Sequence, residues 1–161
     1  MTASFAPIRP TAVRYLRPGD HIIVPTEGPG AGIRGVITDL QENEAERLIT
    51  INGEVDAGEG LFYHHASPHE VVNRLILPSD PVPGNEMIMV KGTELWKWIG
   101  ESMNDPHGSS EQYTIRTFAH ISDPETGEPA VEIKMVSQLN PRKILTAHLT
   151  PNATIGFAGC R

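Results

Sequence analysis

The residue pattern predicts a mainly β chain in two parts, a small β-barrel followed by a small α+β region in the order β-α-β-β-β. Three observations carry that expectation. Short apolar runs alternate with turn residues along most of the 161 positions, and fifteen glycines and fourteen prolines supply the turns. Residues 112–150 alternate apolar with polar side chains, the period of a half-buried strand. One stripe alone, Leu95, Ile99 and Met103, has helical i, i+4, i+8 spacing.

The elements follow in order. Residues 1–11 hold Pro7 and Pro10 without periodicity and are expected to form an extended arm. The barrel is expected over 12–77. Its strands are Ala12–Leu16, His21–Thr26, Ile33–Leu40, Arg47–Asn52, Gly60–His64 and Val71–Leu77. Pro18-Gly19-Asp20, Gly28–Gly32, Glu42–Glu46 and Asp56–Glu59 are the turns between them, and Asn52-Gly53 is a tight-turn dipeptide. Three prolines and a glycine at 78–84 suit neither a helix nor a central strand, so a linker is placed there.

The second part, 85–161, opens with a strand at Met87–Val90. Thr93 is placed as N-cap and Glu94 in the first turn of a helix over Glu94–Met103, ended by Asn104–Gly108. Three strands follow. Tyr113, Ile115, Thr117, Ala119 and Ile121 are expected on one face of the first. Val131, Ile133 and Met135 mark the second, and Leu145, Ala147 and Leu149 the third.

Residues 17–54 resemble the KOW element of SH3-like small β-barrels. The likeness rests on Pro18-Gly19-Asp20-His21-Ile22-Ile23-Val24, the glycines of 28–32, Gly35-Val36-Ile37 and Leu48–Gly53. The resemblance implies five short strands curled into a barrel whose loops bind nucleic acid or protein. RNA-binding members tend to carry Lys or Arg in the glycine loop. Here that loop holds Glu27 and no base before Arg34.

Charge and motif content exclude several functions. Twenty acids against thirteen bases give a net charge of −7, which disfavours a non-specific nucleic-acid binder. No apolar run approaches the ~20 residues of a membrane helix, and positions 1–10 lack the apolar core of a secretory signal. One cysteine, Cys160, permits neither an internal disulfide nor a multi-cysteine zinc site. The glycine loop lacks Gly-Lys-Ser/Thr, and there is no Gly-x-Ser-x-Gly elbow. No catalytic residue, metal site or cofactor is therefore expected. His64, His65 and His69 beside Glu70 have ligand chemistry, but Pro68 interrupts the helix that would aim them at one ion.

The expectation that remains is a non-catalytic protein-binding or assembly protein. It suits a bacterial or bacteriophage accessory or virion component that is cytoplasmic or carried in a virion, with a protein partner or its own copies as ligand and a homo-oligomeric state. Trp96, off the apolar stripe of its helix, is the expected interface anchor, with Arg9, Arg14 and Arg17 of the acid-free N-terminal stretch. Nucleic-acid binding is the alternative, with Arg34 on phosphate and Tyr15 or Phe62 as stacking faces. A small metal-dependent hydrolase using the histidine segment is a third reading.

Overall fold

The computed structural model describes residues 7–25, 33–56, 60–78, 87–105 and 110–158. The chain divides into two compact units, Met1–Gly84 and Asn85–Gly159. Both are antiparallel β structures. No helix among the described residues is long and apolar enough to cross a membrane.

The first unit contains β1 (Ile8–Ala12), a 3-10 helix at Val13–Tyr15, β2 (His21–Ile23), β3 (Arg34–Asn43), β4 (Leu48–Val55), β5 (Leu61–Ala66) and β6 (Val71–Leu75). They form one sheet in the order β1-β6-β2-β3-β4-β5, a half-barrel with β1 and β5 at its edges. Ile22, Ile37, Ile49, Ile51, Val72 and Leu75 fill its concave core. The Pro18–Asp20 turn enters β2 tightly. Gly19 takes a φ of +93°, and its N–H donates to Ile37 O at 2.7 Å, while Ile37 N–H returns to Asp20 O at 2.9 Å. Glycine alone adopts that backbone at no steric cost.

Two glycines inside strands shape the sheet. A Cβ on Gly53 would run into Val36 O and the Phe62 ring, and one on Gly35 would meet Phe62, Val24 and the Glu54 carbonyl. The Phe62 ring thus occupies the space of two absent side chains. This corrects the turn expected at Asn52-Gly53, which lies within β4 instead. A β-bulge beside Thr38 gives β3 its extra residue, because Ile37 faces Gly53 while Asp39 faces Asn52.

Residues 1–6 of the expected arm lie outside the described residues, and the remainder of it is corrected. Ile8–Ala12 is a strand paired with β6, from Ile8 opposite Leu75 to Ala12 opposite Val71. Pro10 is tolerated because this is an edge strand. The chain then turns into the short 3-10 helix, so the strand expected at Ala12–Leu16 is absent, and Val13 and Tyr15 are buried. The glycine loop at 28–32 and most of the 78–84 linker lie outside the described residues.

The second unit holds β7 (Met87–Lys91), a 3-10 helix at Gly92–Trp98, β8 (Ser102–Asn104), β9 (Gln112–Ser122), β10 (Pro129–Ser137), β11 (Ile144–Leu149) and β12 (Thr154–Ala158). One sheet runs β11-β10-β9-β8, and β12 pairs with β7 in a separate ribbon. The expected α-helix and its β-α-β-β-β order are corrected here. The helical segment is 3-10 and stops at Trp98. Gly100, with φ +95°, turns the chain, and Met103 sits on β8 with its side chain buried. Thr93 is no cap. Its backbone N–H and that of Gly92 donate to carbonyls of the Pro151–Ala153 turn, so backbone rather than a side chain satisfies that end. The i, i+4, i+8 stripe arises because Leu95 and Met103 reach the core from two different elements.

β9 also departs from simple alternation. Lys134 faces Thr117 while Met135 faces Ile115, so Arg116 is a bulge residue. The bulge reverses the phase beyond it, so Phe118 is buried while Thr117 and Ala119 are exposed. Trp98 stacks on Phe157 at 5.5 Å between ring centroids, and Trp96 is 4% exposed. Trp96 is therefore a core residue of its own unit rather than an exposed anchor.

Two substitutions check this packing. Gly53→Ala is expected to cost about 1–3 kcal/mol, the usual penalty of overpacking, read as a lower urea midpoint with unchanged slope. Trp96→Ala is expected to cost about 3–5 kcal/mol of stability, as deletion of a buried indole does, with the loss visible in the thermal melt of the isolated chain.

Candidate functional site

The histidines separate once β5 is in place. Successive strand residues point to opposite faces, so Phe62 and His64 turn inward while Leu61, Tyr63 and His65 turn outward. His64 Nε2 lies 2.6 Å from Glu70 Oε2 and ties β5 to the loop before β6. His65 Nδ1 meets Thr50 Oγ1 of β4 at 2.8 Å, and His69 Nε2 is 3.5 Å from Ser67 Oγ. Each imidazole therefore has its own partner. Among the described residues no group of three or more His, Cys, Asp or Glu is arranged to hold a metal ion.

The expected binding residues fare unevenly. Arg9 is half-buried on β1, opposite Arg74. The Arg14 guanidinium lies 5.0 Å from the Tyr15 ring centroid. Arg17 is exposed, and its backbone N–H is held by Asp20 Oδ2 at 2.8 Å. Tyr15 is only 7% exposed and presents no face to a base. Phe62 is committed to Gly35 and Gly53. Arg34 is half-buried on β3. The two rings of the nucleic-acid alternative thus belong to internal packing.

A polar hub in the second unit was not expected from the sequence. The Glu111 carboxylate accepts from Ser137 Oγ at 2.6 Å, Lys143 Nζ at 2.7 Å and Tyr113 Oη at 2.9 Å. Ser137 Oγ in turn accepts from the backbone N–H groups of Leu139 and Asn140. These bonds clamp the Ser137–Lys143 turn onto the start of β9. The Lys143, Ser137 and Tyr113 donors hold the Glu111 carboxyl down from 4.5 to about 2, and Glu111 and Tyr113 push the Lys143 ammonium up from 10.5 to about 12. A lysine so firmly protonated is no base or nucleophile, and Ser137 is buried. The hub is a clamp.

What the first unit leaves open is the outer side of β5. Leu61 is 82% exposed and Tyr63 72% exposed, two residues apart on one face, with the His65 ring 5.6 Å from that of Tyr63. Glu54, Val55, Gly60 and Leu61 line a depression of about 240 Å³ at the end of the same hairpin. Scattered exposed apolar residues need no explanation, but these sit together on an edge strand. Period-2 reading of 61–66 contained this face, since Phe62 inward implies Leu61 and Tyr63 outward. No protein-family model matches the chain, and no curated protein or solved structure matches it either.

The hub makes a pH prediction. Because the folded pKa of Glu111 is depressed, its contribution to stability is complete above 4.5 and is lost as pH falls towards about 2. The Lys143 contribution is complete below 10.5 and is lost as pH rises towards about 12. Glu111→Gln is expected to flatten the melting-temperature profile in both windows, measured by thermal denaturation across pH.

Proposed function

We infer that this chain is a non-catalytic protein-binding or assembly protein built on an SH3-like small barrel. Strand connectivity supports the barrel reading. β2, β3, β4 and β5 follow one another as antiparallel neighbours, and β6 returns to pair with β2. The Gly19-Asp20 turn ahead of β2, hydrogen-bonded to Ile37 of β3, supports the same reading.

The single observation that carries the binding function is the pair Leu61 and Tyr63, 82% and 72% exposed on an edge strand. Leaving a leucine and a tyrosine in water forgoes roughly 1.5–3 kcal/mol of burial for each large apolar side chain, and a protein surface laid over them recovers it. Tyrosine is among the residues that most often anchor interfaces. Unpaired backbone groups along the strand add a second means of recognition, by strand addition.

The test is the double variant Leu61→Ser, Tyr63→Ser. Its stability is expected within about 0.5 kcal/mol of the parent, as for other surface changes. Its affinity for a protein ligand is expected to fall by about 2 kcal/mol or more, the loss of a hot-spot residue, followed by calorimetry and sedimentation.

A further inference from the structure

We propose that the outer edge of β5 pairs antiparallel with β5 of a second copy of this chain, about a two-fold axis at Tyr63. The proposal rests on the binding role assigned above and names the partner.

The backbone of β5 sets the register. Val55 N–H donates to Gly60 O at 3.0 Å, and the β4–β5 ladder continues with Gly53 opposite Phe62, Ile51 opposite His64 and Ile49 opposite Ala66. Hydrogen-bonded and non-hydrogen-bonded pairs alternate in an antiparallel ladder. Phe62, His64 and Ala66 therefore spend their backbone groups on β4. Leu61, Tyr63 and His65 aim theirs away from it, where no described strand pairs with them. The close approach of the Thr50 and His65 side chains, 2.8 Å, fits a non-hydrogen-bonded pair.

That edge is self-complementary. Each of Leu61, Tyr63 and His65 offers one N–H and one C=O. A two-fold at Tyr63 sets Tyr63 against its own copy and Leu61 against His65, so every donor of one copy meets an acceptor of the other. The exposed side chains then form one strip across the joined sheets, with the two Tyr63 rings as neighbours. No lysine or proline interrupts Leu61–Ala66, so the usual guards of an edge strand are missing.

The other edge of the sheet refuses the same pairing. Ile76 N–H donates to Pro7 O, which places Arg9 and Thr11 in the hydrogen-bonded pairs with β6 and turns Ile8, Pro10 and Ala12 outward. Pro10 has no N–H at the middle of that outward row. Pairing β5 with β1 of the next copy would leave an acceptor unmatched, whereas β5 with β5 leaves none. The favoured contact is thus isologous and closes at two copies. A strand edge of this length falls among small interfaces, under about 1,200 Å², so the dimer is expected to dissociate in the micromolar range.

Sedimentation equilibrium of the full chain over a concentration series tests the proposal, alongside Tyr63→Lys, Tyr63→Phe and Tyr63→Pro. The parent and Tyr63→Phe are expected to dimerise. Tyr63→Lys sets two ammonium groups together and Tyr63→Pro deletes an outward donor. Each is expected to weaken the dimer at least tenfold while the thermal melt of Tyr63→Lys stays near that of the parent. Tyr63→Cys in a Cys160→Ser background gives a second readout. Paired residues at the axis have Cα atoms about 5.5 Å apart, within the range of about 4.4–6.8 Å that a disulfide spans, so oxidation is expected to yield a covalent dimer. A parent that stays monomeric, a dimer indifferent to Tyr63→Lys, or a Tyr63→Cys chain that forms no covalent dimer overturns the proposal. If the parent is monomeric but a different protein binds it and Tyr63→Lys abolishes that binding, the second-copy proposal fails and the binding role stands. If nothing binds the monomer, both fail.

Discussion

The first unit depends on the Phe62 ring lying across two bare backbone positions, Gly35 and Gly53. The ring of β5 reaches over backbone of β4 and β3, and a side chain on either glycine would hold it off the sheet. It also fixes phase. Strand side chains alternate, so once Phe62 is inside, His64 and Ala66 must follow it, and Leu61, Tyr63 and His65 must face out. A slip by one residue would bury Tyr63 against backbone that has room only for Phe62 and would turn Phe62 to solvent. The internal packing and the exposed edge are thus two sides of one constraint.

The second unit is held differently. Its apolar core joins Leu95, Trp98, Tyr113, Ile133 and Met135. The turn between β10 and β11 is fastened by charge, with Glu111 gathering a phenol, a hydroxyl and an ammonium from β9, β10 and the approach to β11. Charge-assisted bonds of this kind are shorter and stronger than neutral ones. The result stiffens a turn that carries Leu139, which is 84% exposed.

Much of this was legible in the sequence and some was not, for physical reasons. The β class, the strand positions in 33–77 and 112–149 and the Gly19-Asp20 turn follow from local alternation and turn chemistry, and local rules govern them. The bulges at Thr38 and Arg116 escape such reading because a bulge is a relation between two strands, not a property of one. Gly53 reads as a turn residue because its true role depends on Phe62, which follows it in sequence by nine positions but adjoins it in register. Trp96 reads as exposed only on the assumption that the helical segment buries one face; Leu95, Trp96, Lys97 and Trp98 are all buried, so the short 3-10 segment is enclosed on every side. The Glu111 hub joins residues up to 32 positions apart, with no local pattern to mark them. The β5 edge was visible as residues but not as an edge, since which strand lies last in a sheet is decided by topology alone.

Strand β1 has a consequence in time. It pairs only with β6, and the bond from Arg74 to Thr11 bridges 63 positions. At roughly 5–20 residues per second, a ribosome takes about 3–13 s to supply the partner after β1 has been made. Throughout that interval Ile8 to Ala12 is a strand without a sheet. The proline at its centre then acts before folding is complete, because its missing N–H interrupts the row of donors that a neighbouring nascent chain could pair with while the strand waits for its own.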